Sequence, residues 1–145
     1  MKARKAKHKE ILQFEFDFDI KLFAISTTLR DYHLSYQIQK AFFLKLKREE
    51  DIEVNIHKKN LMAQFSRFSC KDEVMQWEYN LLSNKYHGNL FLPELKFADF
   101  LFMIKGECCG EEVNILKQLK GITDVQAVKL VDVTVLKSRD NLIFD

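Results

Sequence analysis

From residue 12 to residue 24 every even position is apolar (Leu12, Phe14, Phe16, Phe18, Ile20, Leu22 and Ala24), while Gln13, Glu15, Asp17, Asp19 and Lys21 fill odd ones. Successive side chains of a strand point to opposite faces, so a period of two predicts a strand with one wet face. At about 3.3 Å per residue this run outreaches an ordinary strand, and a break or bulge is expected near 17–19. At Phe23 and Ile25 the odd face turns apolar too. The second half of the run therefore reads as a central strand, covered on both sides.

A helix is expected over residues 29–42, with Ser26, Thr27 and Thr28 supplying the N-cap and Asp31 an acid in the first turn. On a 100° wheel Leu34, Ile38 and Ala41 share one side, and Leu29, Tyr32 and Tyr36 gather on nearly the opposite one. The second stripe reads either as tyrosines at the core rim with hydroxyls in water or as a face that docks a partner or another copy. Strands are then expected at 42–46, 61–68 and 74–82, the last two forming a hairpin that turns at 70–73. The charge-dense stretch 47–59 reads as a solvated loop or hairpin edge. Residues 84–89 read as a loop around His87, Gly88 and Asn89. A strand at 98–104, a turn at 106–110, a helix at 111–120 stopped by Gly121 and a Val-rich strand at 125–135 complete the chain. That last strand shifts phase near Val128 and Val131, which predicts a bulge or an edge.

Strand, helix, strand occurs early and late, with extra strands between. The expected architecture is an α+β two-layer sandwich, a mostly antiparallel sheet with two helices on one face, ferredoxin-like with an added hairpin. The 145 residues, 47% hydrophobic, supply material for one ordinary core. One proline and four glycines leave no linker at which to divide the chain. The expected organisation is a basic arm over 1–10 and a single α+β domain over 11–145. The longest apolar run, 100–104, is far too short to span a bilayer, and no apolar stretch follows the basic start as a secretory signal requires. A cytoplasmic location is expected, which also suits three cysteines (Cys70, Cys108 and Cys109) that lack metal-ligand spacing.

Net charge is +2, but Lys2, Arg4, Lys5, Lys7 and Lys9 stand against one acid, Glu10, in the first ten residues, so the remaining chain is slightly acidic. Nucleic-acid binding would therefore rest on the arm alone. The phenylalanines alternate with acids rather than bases, which favours packing over RNA stacking. His8, His33, His57 and His87 fall in no nucleophile or zinc motif, and the glycines fit no phosphate-cradling loop. No catalytic set and no cofactor is expected. Trp77 and Tyr79, on one side of a strand, read as a cross-strand aromatic cluster.

Residues 92–101, Leu-Pro-Glu-Leu-Lys-Phe-Ala-Asp-Phe-Leu, resemble the signature of the bacterial family named after its IPExxxVDY motif. Pro93, Glu94 and Asp99 match outright, while Leu92, Ala98 and Phe100 stand for Ile, Val and Tyr. Residues 28–32, 82–85 and 136–144 look like the same family. The resemblance implies a small cytoplasmic bacterial domain and no particular reaction. Pro93 favours an extended Leu92 and a turn of helix over 93–97, with Glu94 near free backbone N–H groups. A carboxylate as closely bordered by apolar residues as Asp99 must reach water or partners. Glu94 and Asp99 read as acceptors that fix this turn against the sheet, or as paired acids in a cleft. The expected function is a non-catalytic binding domain, acting on another protein or its own copy through Leu29, Tyr32 and Tyr36 and an open sheet edge. The alternatives are a metabolite sensor built around Glu94 and Asp99, and an RNA binder acting through the basic arm.

Overall fold

The structure is a computed structural model that describes residues 20–106 and 110–144. Strand β1 (Ile20–Thr27) lies between β7 (Phe100–Lys105) and β8 (Val125–Val131) and pairs antiparallel with both. Its alternation explains the position: Phe23 and Ile25 enter one apolar cluster, and Ile20, Leu22 and Ala24 enter another on the opposite face. The expected double cover is therefore present. The acid-rich first half of the alternating run lies outside the described residues.

The full sheet has six strands in the order β2-β3-β4-β7-β1-β8, where β2 is Lys47–Ile56, β3 Leu61–Asp72 and β4 Trp77–Ser83. Every recorded pairing is antiparallel. A two-stranded ribbon, β5 (Lys85–Tyr86) and β6 (Asn89–Leu90), stands apart where a plain loop was expected. Helices α1 (Asp31–Phe42) and α2 (Glu112–Lys120) cover one face, because Leu34, Ile38, Ile115 and Leu119 share a cluster with Phe23, Leu81, Phe102 and Ile104. This is the α+β sandwich expected, with the β2–β3 hairpin added on the β4 side. Each fully buried Phe or Leu contributes about 1.5–3 kcal/mol.

The other face is not bare. Phe91, Leu92, Leu95 and Ala98, together with Val133, Leu136 and Leu142, pack on Leu22, Phe65, Leu101 and Met103. Its cover is made of turns and short 3-10 segments, Val133–Val135 and Arg139–Leu142, rather than helices.

Four local expectations are corrected. Residues 42–46 are not a strand: α1 runs through Phe42, Phe43 turns left-handed at φ 55°, and Leu44 N–H donates back to Gln39 O. Residues 47–56 form the edge strand β2, with Ile52, Val54 and Ile56 half-buried against the second cluster and the charged side chains in water. The β3–β4 turn falls later than expected, over residues 73–76, where Asp72 Oδ1 accepts from the Val74 and Met75 N–H groups. Ser26 and Thr27 belong to β1. The N-cap of α1 is Arg30, without a side-chain cap bond.

The last strand lies at the edge of the sheet, and its register shift falls where Ser26 and Thr27 meet Ala127 and Val125, ahead of the Val128 and Val131 expected for it. Trp77, Tyr79 and Phe102 form the expected aromatic cluster, with ring centroids 6.2 and 5.9 Å apart. Gly106 is fixed by it: at φ 130° a Cβ there would lie 2.7 Å from Trp77 Cδ1.

Candidate functional site

The segment over 91–99 is a lock between elements. Asn84, fully buried at the end of β4, donates through Nδ2 to Leu95 O (2.9 Å) and Ala98 O (3.0 Å) and accepts at Oδ1 from Leu92 N–H (2.8 Å). Its own N–H donates to Asp99 O, and its carbonyl accepts from Phe91 N–H. One side chain thus supplies the partners that a helix or strand would otherwise provide for this irregular backbone. The turn of helix expected over 93–97 is replaced by two successive turns, closed by Leu95 N–H to Leu92 O and Ala98 N–H to Leu95 O. Pro93 is exposed. Its missing N–H leaves nothing unpaired in the buried part of the lock.

Asp99 joins this segment to the end of β1. Its Oδ2 accepts from Thr27 N–H (3.0 Å) and the Ser26 hydroxyl (3.5 Å), its Oδ1 from Lys85 Nζ (2.7 Å), and its N–H donates to Ile25 O (2.8 Å). Glu94 joins it to the tail, because Oε2 accepts from both Ser138 N–H (3.0 Å) and the Ser138 hydroxyl (2.9 Å). Partial burial pushes the Glu94 carboxyl up, but the hydrogen bonds from Ser138, together with those from the backbone of Glu94 and Lys137, outweigh it and hold the group below its ordinary 4.5. Asn141 Nδ2 ties the tail to Phe91 O (2.8 Å). The two acids thus face different partners at opposite ends of the lock. Neither lines the concavity along β2, the one at the β2–β3 edge, the one between β1 and β8 or the one between the two helices.

Asn84 and Ser138 carry as much of this arrangement as the two acids, and periodicity does not reveal them. The available signal is an Asn at a strand end and a Ser ahead of a short turn, residue types whose side chains bond local backbone.

On the outer side of α1, Tyr32 and Tyr36 are more than half exposed, and Phe43 is 94% exposed just beyond the helix. Lys40 Nζ lies 5.4 Å from the Tyr36 ring centroid. Leu29 sits ahead of the helix, half-buried against the helix-side cluster, and so forms the rim of this face rather than its crest.

A third feature is a concavity of about 560 Å³ where β2 begins beside β3, lined by Lys45, Lys47, Arg67 and Lys71 with Glu49, Ser69, Cys70 and Glu78. Burial pushes the Cys70 thiol up, the Lys45 backbone bond pulls it down, and the Asp72 charge adds to the rise. The thiol stays protonated at neutral pH and is a poor nucleophile. His33, His57 and His87 are exposed. Among the described residues no group of His, Cys, Asp or Glu is placed to hold a metal, and no helix is long and apolar enough to cross a membrane. Cys108, Cys109, His8 and the basic arm with Lys2, Arg4, Lys5, Lys7 and Lys9 lie outside the described residues.

No family model, curated protein or solved structure matches this chain.

Proposed function

We propose that the chain is a non-catalytic protein-binding domain that docks through the outer face of α1, with a second copy of itself as the partner. The observation that carries this reading is the exposed pair Tyr32 and Tyr36 on a helix whose opposite side is sealed in the core, with exposed Phe43 just beyond its end. Aromatic residues anchor protein interfaces because they bury large rigid surfaces at low entropic cost.

The spacing supports an antiparallel pairing of two α1 helices. A two-fold axis through Tyr36 brings the two Tyr36 rings together, sets each Tyr32 under the Lys40 of the other copy, and sets each Leu29 beside the other Phe43. Lys40 over a tyrosine ring is a cation–π contact that α1 already makes within one chain. The row carries no carboxylate between Tyr32 and Phe43 that would be stranded on closure. The order β8-β1-β7-β4, with α1 and α2 as its crossovers, supports reading the unit as ferredoxin-like, with both helices free to present their outer sides. The likeness to the IPExxxVDY family fits the same reading, because the matched Glu94 and Asp99 serve the fold here.

Sedimentation over a concentration series tests it. The expected result is a mass rising from 17.2 kDa towards twice that value. Association should weaken about tenfold or more in Tyr36→Ser/Phe43→Asn, where Asn tolerates the left-handed backbone. A mass fixed at the monomer value, or association indifferent to the double substitution, would overturn the proposal.

A further inference from the structure

We propose that the concavity at the β2–β3 corner binds a compact, multiply charged anion of the phosphate class. β2 pairs with β3 no further than Lys47 opposite Ser69, while β3 continues to Asp72, leaving an open step in the sheet. Lys45, Lys47 and Lys71 line that step, all three are exposed, and none makes an ion pair within the described residues. Arg67 adds a fourth positive charge. Its orientation is fixed by Nε donation to Asn80 Oδ1 (3.1 Å) and by packing over the Phe144 ring at 4.7 Å.

Two carboxylates share the site, and both are engaged. Glu49 Oε1 accepts from the Ser69 hydroxyl (3.0 Å), and Glu78 Oε1 accepts from Asn80 Nδ2 (3.4 Å). Three lysines without an ion pair among the described residues thus face these two carboxylates, with Asp72 close enough for its charge to act on Cys70, on a chain that is slightly acidic beyond its first ten residues. Several lysines and a guanidinium around one concavity match a phosphate group better than a single carboxylate, because several donors can reach several oxygens at once.

The surroundings set the size of the ligand. A second concavity on β2 is lined by Glu49, Glu50, Asp51 and Glu53, with Arg48 already bonded to Asp51. A long polyanion continuing along β2 would meet those acids. A small one held within about 560 Å³ would not.

The test is titration of the full chain with inorganic pyrophosphate at constant ionic strength, followed by amide chemical shifts. Saturable shifts centred on Lys47, Ser69 and Lys71 are expected. Affinity should fall about tenfold for each lysine removed in Lys47→Ala and Lys47→Ala/Lys71→Ala. Both lysines are exposed, so the melting temperature of the variants should match the parent and separate lost binding from lost folding. Absence of saturation, or saturation unchanged in the double variant, would overturn the proposal. So would tighter binding of a single-stranded oligonucleotide than of pyrophosphate at the same lysines. Self-association through α1 plays no part in this readout, so the two proposals stand or fall separately.

Discussion

The two faces of the sheet are both sealed, but by different physics. On the helix face, cover comes from side chains repeating at helical spacing, Leu34 with Ile38 and Ile115 with Leu119, and the helices satisfy their own backbone groups. On the opposite face, cover comes from residues 91–98 and 133–142, whose backbone has no ladder and borrows partners from Asn84 and Glu94, while Asp99 ties the end of the segment to β1. A helical cover tolerates loss of one contact. An irregular cover depends on a few polar side chains, since each buried N–H or C=O they release costs about 1–3 kcal/mol.

The strongest way to break this contrast is Asn84→Ala, which strands Leu92 N–H and the Leu95 and Ala98 carbonyls. The expected loss is about 3 kcal/mol or more in urea unfolding, or very roughly 10 °C in melting temperature. Amide exchange should rise over 91–98 and 133–142 before it rises in α1. Uniform acceleration across both faces would show that the covers are not separable.

Asp99→Ala should have a smaller effect, about 1–2 kcal/mol, because the bonds it removes are partly exposed and water can replace some of them. The faster exchange should be confined to the end of β1 at Ser26 and Thr27. An effect as large as that of Asn84→Ala would mean that the weight of the lock has been misplaced.

Glu94→Gln should cost least, under about 1 kcal/mol, since Glu94 is exposed. Its folded-state carboxyl titrates below 4.5, so its contribution is fully present above that value and lost as pH falls through the folded value. Parent and variant should therefore differ at pH 7 and converge in acid. A difference that persists in acid would assign the effect to shape rather than charge.

The helix face was the legible one. Period two marked β1, the 100° wheel marked the buried side of α1, and Gly121 marked the end of α2. The β2 strand also left a trace, Ile52, Val54 and Ile56 alternating with Asp51, Glu53 and Asn55, but the charges of 47–50 masked it because an edge strand can keep its side chains in water. The lock was legible only as a motif. Hydrogen bonds from Asn84 to residues 8 to 14 positions away carry no periodicity. The partnership of Glu94 with Ser138, 44 positions away, leaves no local signal at all. The sequence also showed Tyr32 and Tyr36 as a second stripe but placed Phe43 in a strand, because a left-handed residue after a helix is ordinarily glycine.

That left-handed Phe43 sets two demands against each other. Its backbone adopts a shape that glycine takes freely, while its ring extends into water and adds little to the packing of its own chain. Glycine at this point would relieve the backbone of the isolated chain, so the benzyl group is the part of Phe43 that the docking proposed for α1 would put to use.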